Sequence, residues 1–171
     1  MKGSDRLAGI IAAKRKEAAA LESRKAQLRK EALQRNEYRG FRSHLFHPGK
    51  VTVIAECKAA SPTAGTIAEK YDPVAQAKLY EQGGAGAISV LTDQEFFKGT
   101  LEDMQKVRAA VRVPVLRKDF ILTEAQVYES VAAGAEAIYW YNAFDSPIEG
   151  EVAEELAQRL TEKKVEILVQ N

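Results

Sequence analysis

Two short stretches carry charge where a buried strand should have none. In "VTVIAECKAASP", residues 51–62, Glu56 and Lys58 close a run of aliphatic residues, and in "VPVLRKDF", residues 113–120, Lys118 holds the same place. Side chains alternate across a strand, so Ile54, Glu56 and Lys58 share one face and Val53, Ala55 and Cys57 the other. The same alternation groups Leu116, Lys118 and Phe120, opposite Arg117 and Asp119. Both lysines fall at the C-terminal ends of strands, where parallel α/β sheets and barrels build their active sites. Lysines beside a carboxylate suit anion binding and proton transfer, and such perturbed groups cluster at functional sites. The competing reading is a pair of structural salt bridges, because buried charges need partners.

The elements that position these residues are legible from periodicity. From residue 51 short β-branched runs alternate with amphipathic stretches, the mark of successive βα units and a parallel sheet. Strands are predicted at 51–57, 86–91, 113–118, 136–142 and 165–170, with helices at about 73–83, 100–111, 124–133 and 149–163. Asp72 before Pro73 and Thr123 before Glu124 mark helix starts, and "QGGAGA" and "AAGAEA" follow helix ends. Upstream, Ser4 or Asp5 can cap a helix in which Leu7, Ile10 and Ile11 share a face, and its alanine-rich, charged pattern runs to about Gln34. Tyr38, Phe41, Leu45 and Phe46 form an apolar stripe read as core packing, ended by Pro48 and Gly49. The expected organisation is a helical extension over 1–50 and a βα body over 51–171.

Composition narrows the function classes. A chain of 171 residues with 46% hydrophobic content has the size and apolar fraction of one globular domain. No stretch approaches 18 apolar residues and "MKGSDRLAGIIAAKRK" lacks a secretory leader pattern, so a cytoplasmic protein without a membrane partner is expected. Cys57 is the single cysteine and His44 and His47 are the two histidines, so no disulfide or metal site is expected. Residues 1–50 hold 13 Lys/Arg against 5 Asp/Glu and the remainder 12 against 19, which gives +8 and −7. A basic arm can bind nucleic acid, but this one has helical spacing and no interleaved aromatics. The expectation is a helix docked on an acidic body, with no nucleic-acid partner.

Three motifs sharpen the reading. "VIAECKAASPTAG", "SVLTDQEFFKG" and "PVLRKDF", within longer similar stretches up to about residue 138, resemble indole-3-glycerol-phosphate synthase, a TIM-type (βα)8-barrel family of the α/β class. The resemblance implies a lyase of tryptophan biosynthesis that closes the indole ring of 1-(2-carboxyphenylamino)-1-deoxyribulose 5-phosphate with loss of carbon dioxide and water. That small phosphorylated substrate needs no organic cofactor. By resemblance Lys118 is the general acid, Lys58 binds the anthranilate carboxylate, Glu56 orients and balances the two cations, and Ser61 and Phe97 border the substrate. Plainer readings make Ser61 a turn residue before Pro62 and Phe97 a loop anchor. Desolvation and nearby positive charge would lower a lysine's pKa enough for acid work.

The sequence also departs from that family. "EILVQN" places Gln170 where the family has a catalytic glutamate, and an amide cannot exchange a proton at neutral pH. "YWYN" at 139–142 replaces aliphatic residues, so Tyr139 would narrow the pocket or alter its specificity. About five βα units fall short of the eight strands that close a TIM barrel, leaving two open sheet edges and an uncovered face. Three readings follow: a fragment of a longer protein, a partial barrel with an assembly or scaffold role, or a chain that associates with a second copy or a complementing fragment.

Overall fold

The computed structural model describes residues 3–67, 70–141 and 166–170. Five parallel strands form its main sheet: β1 (Ile54–Cys57), β4 (Ala87–Leu91), β5 (Val115–Lys118), β6 (Ala137–Tyr141) and β7 (Glu166–Gln170), adjacent in that order. Three helices connect the first four: α4 (Pro73–Gln82), α6 (Leu101–Ala110) and α7 (Glu124–Ala132). A two-stranded hairpin, β2 (Ala60–Ser61) with β3 (Gly65–Thr66), follows β1, and the short α5 (Gln94–Phe97) follows β4. Neither element was expected from periodicity. The predicted helix at 149–163 and Asn142 lie outside the described residues. Among the described residues no helix is long and apolar enough to cross a membrane.

Local chemistry fixes the boundaries. The Asp72 side chain accepts from the Val74 and Ala75 amides, both at 3.0 Å, and Pro73 starts the helix where a missing N–H costs nothing. Thr100 and Asp103 exchange reciprocal bonds of 3.0 Å at the start of α6. Gly84 (φ +90°) and Gly134 (φ +103°) turn the chain from helix to strand in the left-handed region that glycine tolerates.

Two strands begin two or more residues later than predicted. β1 begins at Ile54, not residue 51, because its ladder starts with the Gly86 amide donating to the Val53 carbonyl, and Val51 lies upstream, 95% exposed. β5 begins at Val115, not residue 113. Pro114 has no N–H to give, and the Arg112 and Val113 amides donate instead to the Glu81 carboxylate at 2.6 and 2.9 Å.

The sheet separates two cores. Its outer face, with Cys57, Ile88, Val90, Val115 and Ile138, packs against Ala77, Met104, Val107, Val127 and Val131 of the helices. The inner face holds a smaller cluster of Ala87, Leu116 and Ala137, covered by Phe41. Phe41 belongs to α3 (Phe41–Leu45), which follows α1 (Gly3–Leu21), a single 3-10 turn, and α2 (Lys25–Gln34). The expected continuous helix is therefore broken at Glu22–Arg24, and it starts at Gly3, so Ser4 and Asp5 lie inside it. Phe41 is buried as expected, but Phe46 is 73% exposed, because α3 ends at Leu45 and the chain turns away through Gly49 at φ +77°.

The basic extension docks on acidic groups of the βα body. Lys14 pairs with Asp93 and Asp119, Lys25 with Glu124, and Arg35 with Glu136. Arg35 also lies over the Tyr38 ring, 4.3 Å from its centroid.

Candidate active site

The parallel register brings the charged residues to one edge of the sheet. Glu56 lies opposite Ser89 across β1 and β4, Leu91 opposite Lys118 across β4 and β5, and Lys118 opposite Tyr139 across β5 and β6. Glu56, Lys58, Leu91, Asp93, Phe97, Lys118, Asp119, Phe120 and Tyr139 line a cavity of about 330 Å³. All come from the C-terminal ends of strands or the loops just beyond them.

Lys58 Nζ lies 3.2 Å from Glu56 Oε1, and both side chains are about one-third exposed. A pair so wet adds little stability, about 0–1 kcal/mol, so its ammonium can be shared with an incoming anion at small cost. Lys118 lies deeper. Burial pulls its pKa down from the ordinary lysine value, and the nearby Glu56 charge opposes part of that effect. The positive neighbour expected to assist is not among the causes. Desolvation is the dominant one.

Lys118 Nζ sits 3.2 Å from the centroid of the Tyr139 ring, so the aromatic face replaces some of the water the ammonium has lost. Tyr139→Leu keeps the apolar wall and removes that face. It is expected to withdraw about 0.5–1 kcal/mol of cation stabilisation at this half-buried site. NMR titration of Lys118 in the variant should show deprotonation at lower pH than in the parent chain; an unchanged midpoint would count against the contact.

The aromatic side of the cavity is built from its loops. Asp93 Oδ1 accepts from the Phe96 and Phe97 amides at 2.7 and 3.2 Å, which starts α5 and sets Phe97 over the opening. The Phe97 and Phe120 rings meet with centroids 6.3 Å apart. Gly99 makes this loop close. A Cβ there would fall 1.9 Å from the Leu91 carbonyl oxygen, so the glycine of "SVLTDQEFFKG" is a steric requirement.

Of the residues singled out from sequence, Glu56, Lys58, Phe97, Lys118 and Tyr139 converge. Ser61 does not. Its hydroxyl accepts from the Ala64 amide at 3.0 Å and lies 3.3 Å from Thr63 Oγ1, within the β2–β3 turn. Gln170 is placed by backbone register opposite Tyr141, at the same end of the sheet. Leu91, Asp93, Asp119 and Phe120 line the cavity without having been foreseen as site residues. Asp93 stood inside a quoted motif, and its position just before "QEFF" was the available signal.

Helices outside a parallel sheet, with cations and a carboxylate gathered at the C-terminal strand ends, define an α/β chain of the TIM-barrel type. Residues 7–170 match the family described as indole-3-glycerol phosphate synthase. The chain is 47% identical over 137 residues to the indole-3-glycerol phosphate synthase of Desulfotalea psychrophila, covering 79% of this chain and 53% of that protein. It is 46% identical over 135 residues to that of Chlorobium luteolum, covering 77% and 52%, and 57% identical over 89 residues to that of Leifsonia xyli subsp. xyli, covering 52% and 34%. The chain belongs to the indole-3-glycerol phosphate synthase family. It spans about half the length of the first two of these relatives.

Proposed function

We propose that this chain carries the acid-bearing and carboxylate-binding part of an indole-3-glycerol phosphate synthase site, acting in the cytoplasm on 1-(2-carboxyphenylamino)-1-deoxyribulose 5-phosphate. The observation that supports it best is the convergence of Lys58, Glu56 and Lys118 in one cavity, with Lys118 desolvated. Lys58 pairs with the anthranilate carboxylate, exchanging Glu56 for the substrate anion. Lys118 donates its proton to the ribulose carbonyl oxygen as the aromatic carbon attacks, so charge on that oxygen is neutralised as it forms. Loss of carbon dioxide then restores electrons to the ring, and departure of the hydroxyl as water completes the indole. Glu56 pairs with Lys58 and its charge acts on Lys118, and it takes the proton-exchange role that Gln170 cannot fill. Phe97 and Tyr139 flank the aromatic part of the substrate.

In this reading residues 1–50 are an extension that braces the βα body over 51–171, and the open edges of β1 and β7 pair with a second copy or a complementing chain. One experiment tests both. Conversion of the substrate is followed by indole fluorescence across a concentration series of the 171-residue chain. The expected result is turnover that rises more steeply than linearly with chain concentration, as assembly of the site requires. Strictly linear turnover would remove the assembly element. Absence of turnover in a folded, associated sample would sink the functional reading.

A further inference from the structure

Lys14 is the least expected residue of the N-terminal extension. It is 2% exposed, and its Nζ lies 2.7 Å from Glu17 Oε2, 3.0 Å from Asp93 Oδ2 and 2.9 Å from Asp119 Oδ1. The Asp93 contact is close but off-axis, an ion pair without a well-aligned hydrogen bond. A lysine buried this completely survives as a cation only where anions surround it. Burial would lower its pKa, yet Asp119, Glu17 and Asp93 together raise it well above the ordinary lysine value.

The two aspartates belong to different loops. Asp93 follows β4 and fixes the amides of Phe96 and Phe97; Asp119 follows β5 and accepts from the Phe120 amide at 2.8 Å. Asp119 is also held by the Thr92 hydroxyl at 2.6 Å and by Arg117 at 3.3 Å. Burial would raise its pKa, but Arg117, Lys14 and the Thr92 bond outweigh that and hold it below the usual carboxylate range. Asp93 meets Lys14 with Oδ2 and the phenylalanine amides with Oδ1, whereas Asp119 Oδ1 meets both Lys14 and the Phe120 amide. Phe97 and Phe120 are the pair that forms the aromatic side of the cavity.

We infer that Lys14 is a positioning residue for this aromatic pair: from α1 it ties the β4 and β5 loops to each other and so sets the spacing of Phe97 and Phe120. The role assigned to the pair, flanking the substrate's aromatic ring, rests on the proposed function; the tie itself rests on the contacts alone. A lysine that merely anchored α1 would need no contact with the carboxylates that hold those two amides. Lys25, the first residue of α2, pairs with Glu124 at 2.6 Å as an anchor of the extension and provides the comparison.

The test needs no turnover, so its failure is distinct from failure of the functional reading. The chain is labelled with 4-fluorophenylalanine, and the resonances of positions 97 and 120 are assigned with Phe97→Leu and Phe120→Leu variants. Lys14→Met is expected to move both resonances by more than their linewidths, whereas Lys25→Met leaves them in place. Asp93→Asn keeps an oxygen to cap α5 but removes the charge facing Lys14. It is expected to move the Phe97 resonance and leave that of Phe120. Lys14→Met that lowers the melting temperature yet leaves both resonances unmoved would reduce Lys14 to an anchor and overturn the inference. If Lys14→Met does not fold, an unmoved Phe97 resonance in Asp93→Asn overturns it in the same way.

Discussion

Lys118→Ala is expected to lower turnover by about 10²–10⁴-fold, the usual contribution of a positioned general acid. Binding should suffer much less, because in the proposed function Lys58 still holds the substrate carboxylate; kcat falls while KM stays within a few-fold. The pH dependence gives a second check. Lys118 must be protonated to act, and its pKa lies below the ordinary lysine value because it is desolvated. Activity of the parent chain should therefore fall on the alkaline side as pH rises through that lowered pKa, and residual activity of the variant should lack that limb. Stability moves the opposite way. Between the lowered folded pKa and the unfolded value of 10.5 the unfolded chain binds more protons, so this residue's contribution makes the fold more stable as pH rises. At neutral pH Lys118 is a burden on the fold, and Lys118→Ala should unfold at a denaturant concentration equal to or above that of the parent. A folded variant with unchanged kcat would remove Lys118 from the acid role.

Glu136→Gln is expected to cost about 3–5 kcal/mol, the range found when one partner of a buried ion pair is removed. Glu136 is fully buried at the start of β6. Its Oε1 accepts from Arg35 at 2.7 Å and Arg108 at 2.9 Å, and its Oε2 accepts from the Val115 amide at 2.8 Å. Glutamine keeps the shape but carries donors on one side, so an N–H must face either the two guanidinium groups or the Val115 amide. Two cations then lose their counter-charge. Against a typical domain stability of about 5–15 kcal/mol this is a large fraction. Urea unfolding should show it as a lowered midpoint with little change in slope, and a midpoint shift worth less than about 1 kcal/mol would contradict the network's importance.

Both residues show what a single sequence discloses. Lys118 was visible because strand alternation is local: residues two apart share a face whatever the rest of the chain does. Glu56 and Lys58 were visible for the same reason, and cap chemistry at Asp72 and Thr123 marked helix starts within a residue or two. Glu136 and Lys14 were not visible. Their meaning depends on partners about a hundred positions away, such as Arg35 for Glu136, and no short-range pattern distinguishes them from surface charges on a helix or strand end. Ser61 is not among the lining residues of the cavity. Its place in a motif suggested the cavity, and its hydroxyl is engaged in the turn two and three residues on. The early strand starts failed because Val51 and Val113 have the composition of a strand, whereas a ladder also needs a neighbour in register.

The extension touches the sheet at both ends: Lys14 reaches the loops beyond the C-terminal strand ends, and Phe41 covers the inner cluster of Ala87, Leu116 and Ala137. During synthesis this order matters. The N-terminal residues leave the ribosome first, yet the carboxylate of Glu136 that receives Arg35 is made 101 residues later. Lys14 and Phe41 meet their first partners in the βα body earlier, at Asp93 and Ala87, but Arg35 waits for its carboxylate until then, and contacts so distant in sequence form late. An early-made part of the nascent chain is thus fastened in stages, and the closing of Arg35 on Glu136 reports that synthesis has reached β6.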